Sequence, residues 1–301
     1  HQYRVPVIIT EHALWQPNWM DKSALVRWQA LWAAKHSAFQ IAVSNALRES
    51  IVHFTNSPEK VHVIPNGVET DIFRLSENGA GRKPNQILYV GFINFNKGVD
   101  VLLHAMRKLL RHKPEARLVL VGGSTYRNTR LQEERLRGLA RELSLDEHVE
   151  FAGAKTPAEV ARYMSESSLL VLPSHKESFG SVLVEALACG TPVVATRCGG
   201  PEDIVSERVG LLVPKGDADA LAVGIAKVLD GRRLYDAARL RAYALGNFTW
   251  EHVARRTIEL YDKAIDQFQA VKLNEQPGGV TYEWERSNTH PEGWRASPSA
   301  K

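Results

Sequence analysis

Short, continuous apolar runs alternate along this chain with segments in which apolar residues recur every three or four positions. The runs fall at residues 5–10, 40–43, 61–64, 87–90, 118–121, 149–151, 169–172, 193–196 and 211–213. A run that is apolar throughout, bounded by turn residues, fits a strand covered on both faces, and such strands belong to parallel sheets. The helical segments between them include 21–37, with Leu25, Trp28, Leu31 and Trp32, and 45–54. Val99, Leu102, Leu103, Met106 and Leu110 mark another, and Val182, Leu183, Ala186 and Leu187 mark a helix over 181–187 that Gly190 stops. A helix over 217–229 follows, then a long one from Thr249 with Val253, Ile258, Leu260, Tyr261 and Ile265 as its apolar set. Cap chemistry supports the same boundaries. Ser44 and Asp217 stand where N-caps belong, and Thr156-Pro157-Ala158-Glu159 has the pattern of a capping box with proline at the first helical position. Strand and helix in strict alternation predict an α/β chain with a doubly wound parallel sheet.

Two further features divide the chain. Pro65-Asn66-Gly67-Val68 is a strong turn signal, and a polar, Gly-rich stretch over 76–81 follows it. A boundary near residue 82 separates a smaller unit over 1–81 from a larger one over 82–247. The final helix, over 248–272, comes next, and the Gly/Pro-rich, aperiodic tail over 273–301 reads as disordered.

With 301 residues, 44% hydrophobic and 24% charged, the chain is long enough for one large or two medium α/β domains. A formal charge of +4, with no basic tract and no zinc-finger spacing, gives no support to a nucleic-acid partner. No apolar run approaches the roughly 20 residues of a membrane span. Cys189 and Cys198 lack metal-ligand company and read as reduced thiols of the cytoplasm. The chain begins at His1 without a signal-like region, so a processed or partial chain is expected. Four of its seven tryptophans lie between Trp15 and Trp32, interleaved with Lys and Arg. Core or interdomain packing accounts for this pattern, and peripheral membrane contact remains the alternative.

The candidate chemistry lies between residues 169 and 196, which read as strand, loop, helix and strand. In open α/β sheets ligands bind beyond the carboxyl ends of the strands, and that position is held here by Ser174 to Gly180. The helix that follows aims its amino end at the same place, offering unpaired amides and a partial positive charge. Gly180 puts no side chain in the way of a phosphate. Glu177 precedes the helix and Glu185 lies two turns along, roughly 12 Å apart at about 1.5 Å per residue. Two carboxylates flanking an anion seat suit hydroxyl partners, a sugar at one and a ribose at the other, which suggests a nucleotide sugar. After the first strand of the larger unit, Lys97 sits at a helix start and can place a point charge on a diphosphate. Gly122-Gly123 lacks the full Gly-x-Gly-x-x-Gly pattern, which argues against a dinucleotide oxidoreductase.

Glu177-x7-Glu185 with Phe179-Gly180 inside it, followed by Ala188-Cys189-Gly190-Thr191-Pro192, resembles the donor signature of the retaining glycosyltransferases of family 4. That resemblance implies the GT-B fold: two Rossmann-like domains, the first incomplete here because several of its usual strands and a Gly-rich acceptor loop are lacking. It implies that Glu177 contacts the transferred sugar, that Glu185 holds the ribose, and that the amides of Ser178, Phe179, Gly180, Ser181 and Val182 hold the diphosphate. His12, after the first strand, matches a family histidine that faces acceptor or donor phosphates, although local packing explains it equally well. Gly91 opens the loop in which the family carries Gly-Arg-Leu ahead of Lys-Gly. This chain keeps Lys97 but has Phe92 in the Arg position, so one of two cations is missing. Gly153 and Ala154 resemble the loop against the base, and Gly199-Gly200-Pro201-Glu202 resembles a Gly-Gly-x-x-Glu loop near the sugar and diphosphate, or else is an ordinary turn.

The expected activity is transfer of a hexose from a UDP- or GDP-sugar to a hydroxyl with retention, in polysaccharide, lipopolysaccharide or glycolipid synthesis. The acceptor is a sugar, a lipid-linked molecule or a small molecule. No Asp-x-Asp pair ends a strand, so no cofactor or essential metal is expected, with Lys97 and helix amides meeting the phosphate charge. Two alternatives stay open: a nucleotide-sugar-binding subunit or fragment without turnover, and a nucleotide-sugar epimerase on the same fold. The expected location is the cytoplasm, with the inner face of the plasma membrane open.

Overall fold

The computed structural model describes residues 5–13, 23–76, 81–123, 127–231 and 234–275. Trp15, Trp19, the start of the helix expected from Asp21, and the expected disordered tail beyond 275 lie outside the described residues.

The first sheet is parallel, in the order β1 (Ile8–Glu11), β2 (Phe39–Ala42), β3 (Val61–Val63). Its crossovers are helices α1 (Ala24–His36) and α2 (Asn45–Thr55). Ser23 and Ser44 cap these helices, each accepting from the amide three residues on. The second sheet holds β4 (Gln86–Val90), β5 (Arg117–Val121), β6 (Val149–Gly153), β7 (Leu169–Leu172), β8 (Val193–Arg197) and β9 (Gly210–Pro214). All its pairings are parallel, in the order β6-β5-β4-β7-β8-β9. Helices α3 (Val99–Leu109), α4 (Arg127–Glu142), α5 (Pro157–Glu166), α6 (Ser181–Ala188) and α7 (Ala218–Asp230) connect and cover it. α8 (Ala237–Asn247) and α9 (Trp250–Glu275) follow. The capping box forms at α5, where the Thr156 hydroxyl and the Glu159 carboxylate each meet the other's backbone amide.

Why the strands read as unbroken apolar runs is visible in how they are shared. Ile87, Tyr89, Leu169 and Val171 join the core on one face of the second sheet, while Leu88, Leu170 and Leu172 join the core on the other. Successive side chains of a strand point to opposite faces, so burial on both sides requires every position to be apolar. The chain passes between the sheets twice. Val68 bridges Thr249, and the Val68 amide donates to the Phe248 carbonyl at 2.9 Å. α9 then lays Leu260 and Ala264 against Phe39, Ile41 and Ile64 of the first sheet's side.

Two apolar faces differ from expectation. On α1 the inward residues are Ala30, Leu31 and Ala34, whereas Trp28 and Trp32 are 60% and 46% exposed. The stripe of Leu25, Trp28 and Trp32 is therefore not core packing; it lies on the other side of the helix from Ala34. On α9 the inward positions follow one true helical line through the partly buried Val253 and the buried Leu260 and Ala264. Ile258 and Tyr261, 57% and 50% exposed, belong to a different line of the same helix.

Candidate active site

Strand order reverses between β4 and β7, because the chain winds outward from β4 to β6 and then returns to β4's other side. Loops at the carboxyl ends of those two strands must diverge, which leaves a crevice at the switch point. The loop after β4 carries Gly91 to Lys97, and the loop after β7 carries Ser174 to Gly180. In the first, the Asn94 side chain accepts from the Lys97 amide at 2.9 Å and sets a single tight turn. In the second, the buried Thr196 hydroxyl donates to the Ser174 carbonyl at 2.5 Å. The two loops meet in an ion pair, with Lys97 Nζ 2.7 Å from Glu177 Oε2. Both side chains are mostly covered, so water screens this pair less than it would one on an open surface.

A cavity of about 310 Å³ opens over the pair. Gly91, Phe92, Lys97 and the run from Glu177 to Val182 line it from the second sheet, and His12 and Asn66 line it from the first. Gly180, at φ +97, takes the left-handed conformation that lets α6 start directly under the cavity, with Ser181 and Val182 as its first turn. The amides there stand at the positive pole of the helix, and α6 has no acid in its first turn to neutralise it. A phosphate-sized anion would find amides below it and the Lys97 ammonium beside it.

Of the residues singled out from sequence, His12, Gly91, Lys97, Glu177, Ser178, Phe179, Gly180, Ser181 and Val182 thus come together around one space. Gly153, Ala154 and Glu185 lie outside that lining. Gly153 ends β6, where its carbonyl accepts from the Gly122 amide at 3.0 Å, and Ala154 beside it is exposed. Glu185 stands on the second turn of α6, and burial pushes its carboxyl up to about 7. A carboxyl in that state gains from any ligand that brings hydroxyl donors to it.

Asn66 was legible only as a turn residue. What brings it to the cavity is the close passage of Gly67 under the Trp250 ring, which fixes the course of that turn. Phe92 is 51% exposed at the cavity's edge, so the position holds an aromatic surface and no charge. Below it Tyr89 is fully buried, and its hydroxyl donates to the Phe92 carbonyl at 2.6 Å. Burial first, and the Glu177 carboxylate second, raise the Tyr89 hydroxyl far above its ordinary range, so it remains a donor. Cys189 and Cys198 are unbridged; burial pushes their thiols up to about 12 and about 11, which keeps both protonated at neutral pH. Among the described residues no helix is long and apolar enough to cross a membrane.

The model of the glycosyl transferases group 1 family matches residues 73–245, and that of Glycosyltransferase Family 4 matches residues 1–72. A D-inositol 3-phosphate glycosyltransferase of Segniliparus rotundus is 34% identical over 222 residues, 71% of this chain and 49% of that protein. An MMP alpha-(1->4)-mannosyltransferase of Mycolicibacterium hassiacum is 33% identical over 267 residues, 84% of this chain and 62% of that protein. The chain therefore spans about half the length of the first of these relatives. Among solved structures, a sucrose-phosphate synthase from Thermosynechococcus elongatus superposes with a TM-score of 0.75 at 28% identity, covering 85% of this chain and 67% of that one. Anabaena HepE in complex with UDP and glucose gives a TM-score of 0.75 at 22% identity over 85% of this chain and 71% of that one, a likeness of fold.

Proposed function

The chain belongs to the glycosyl transferases group 1 family, and from that premise we propose that it carries the donor site of a retaining transferase using a UDP- or GDP-sugar. The observation that carries this reading is the Lys97–Glu177 pair at the switch point, facing the amide pole of α6 across one cavity. In this reading the donor's diphosphate lies over the amides of Ser178 to Val182 and draws Lys97 toward itself, which frees Glu177 to accept a sugar hydroxyl. Glu185 takes the ribose hydroxyls, and Gly153 and Ala154 border the base. His12 and Asn66, from the other sheet, face the side on which an acceptor enters.

Transfer then needs little covalent chemistry from the protein. The bond from the anomeric carbon to the diphosphate breaks, charge grows on the leaving oxygens, and Lys97 with the helix amides stabilises it where it develops. The acceptor oxygen attacks from the face the diphosphate leaves, and a departing phosphate oxygen takes its proton, which gives retention. Glu177 orients the sugar for this, a contribution of position more than of proton transfer. A hexose donor, a hydroxyl on a sugar, lipid-linked or small-molecule acceptor, and a role in polysaccharide or glycolipid synthesis complete the proposal, with no essential metal.

Binding without turnover is the second reading, favoured by Phe92 in place of a cation at the cavity's edge. Calorimetry with UDP, GDP and their sugars, followed by product analysis with and without glycoside acceptors, tests both. Transfer with retention supports the first reading. Donor binding with neither transfer nor hydrolysis selects the second, and no binding of any nucleoside diphosphate sinks both.

A further inference from the structure

The α2 helix begins without an acidic residue of its own in its first turn. Its N-cap Ser44 satisfies the Leu47 amide at 3.1 Å, which leaves the amide of Asn45 needing a partner. That partner comes from 158 positions further along the chain: Asp203 Oδ2 accepts from the Asn45 backbone amide at 2.6 Å. Asp203 Oδ1 also accepts from the Asn45 side-chain amide at 3.0 Å. A helix of the first sheet thus has its positive pole met by a carboxylate that belongs to the second.

Asp203 ends a short segment, Gly200–Asp203, whose other end is tied to the donor-site glutamate. The Gly200 amide donates to the Glu177 carbonyl at 2.8 Å, the Glu177 amide points back at the Cys198 carbonyl at 3.4 Å, and Glu177 and Gly199 form a parallel bridge. Glu202, exposed, folds back on its own segment and accepts from the Cys198 and Gly199 amides, so the segment is braced by its own side chain. Contact is close enough that a Cβ on Gly200 would fall 2.3 Å from Phe179 Cα, and one on Gly199 would fall 2.7 Å from the Glu177 carbonyl oxygen. The acid at the family loop's Gly-Gly-x-x spacing is therefore Asp203, and the sequence reading, which stopped at Glu202, missed it.

We infer that Asp203 is a positioning residue that links the placement of α2 to the backbone of Glu177 and Phe179. With α2 seated on Asp203, the 198–203 segment is held against the donor loop and Glu177 is presented to the sugar; with α2 away, that segment loses its outer anchor. This rests on the proposed donor role of Glu177, and it adds that the half of the molecule carrying His12 controls the geometry of the donor half.

Asn45→Pro is the cleanest test. Proline is favoured at the first position of a helix, and Ser44 already has the extended backbone that must precede it, so both bonds to Asp203 are lost while α2 keeps its start. Hydrogen exchange on the full chain should then speed at the Gly200 and Glu177 amides by about tenfold, and equally in Asp203→Ala, since either variant removes the same charge-assisted cap. The β4 and β5 amides should not change. In steady state with a UDP- or GDP-sugar, both variants should lose kcat by about tenfold while the Kd for the free nucleoside diphosphate moves less than about twofold, with Asp203→Asn between them and wild type. The double variant should be no worse than either single one. Unchanged exchange at Gly200 in Asn45→Pro, or additive losses in the double variant, would overturn the inference. Absence of any turnover in the wild-type chain would sink the proposed activity, and the exchange result would still decide the coupling.

Discussion

Lys97 and Glu177, 80 positions apart in sequence, are joined at 2.7 Å across the switch point of the second sheet. Each stands on a loop whose course is set by its own strand, so their meeting is a product of strand order. Breaking one member of a mostly covered ion pair leaves the other without compensation. Glu177→Ala should therefore do two things at once: abolish sugar transfer by at least about a hundredfold, and release Lys97 to the diphosphate. The free nucleoside diphosphate should bind as tightly or more tightly than to wild type. Wild-type turnover in this variant would reject the assignment of Glu177 to the sugar.

Phe92 occupies the cavity's edge where a second cation is expected. Phe92→Arg should tighten nucleoside diphosphate binding about five- to tenfold at low salt, the scale of one added charge-assisted contact, and the gain should shrink as ionic strength rises. Calorimetry at two salt concentrations checks both parts. A gain that ignores salt would mean that the new side chain acts by packing.

Glu185 supplies a pH dependence whose sign is fixed. Burial raises its carboxyl to about 7, whereas a ribose diol prefers the ionised form, which accepts two hydroxyl bonds. Nucleotide affinity should climb as pH rises through about 7 and level off above it. Stability should move the opposite way: the folded state holds the proton more tightly than the unfolded one, so stability declines as pH rises from the unfolded value near 4.5 through about 7. Glu185→Gln should flatten both trends, lower affinity at pH 8 and raise the melting temperature there. A profile of affinity that stays level in wild type would remove Glu185 from the ribose.

Tyr89 holds the cavity's edge through its hydroxyl's bond to the Phe92 carbonyl. Tyr89→Phe keeps the ring and deletes that bond, which should lower unfolding free energy by about 1 kcal/mol. Because the loop it ties also carries Lys97, KM for the donor should rise more than kcat falls. Urea unfolding and steady-state kinetics separate the two effects, and an unchanged KM would show that the loop is held by other means.

How much of this was legible beforehand depends on the range of the cause. The buried strands, the caps at Ser44, Thr156 and Asp217, and the start of α6 at Gly180 follow from residues within a few positions of one another. They could be read directly. α8 could not be, because its sequence AARLRAYALGN buries little beyond Leu240 and Ala244 and carries no clear apolar stripe. The tryptophans of α1 misled for a related reason: period shows that residues share a face, but not which face meets the core. Asn66 lay beyond reach altogether, since it owes its place at the cavity to the passage of Gly67 under the Trp250 ring, whereas Asp203 was within reach of the Gly-Gly-x-x spacing and only its distant partner, Asn45, was not.

The seam at Val68 and Thr249 has one more implication. Both connections between the sheets run through it side by side, laced by a bridge and by the bond from Val68 to Phe248. Two neighbouring tethers permit rotation about the line they share and resist sliding along it. An opening that turns on that spine, like the covers of a book, has the Asn45–Asp203 contact as a further tie between the two halves.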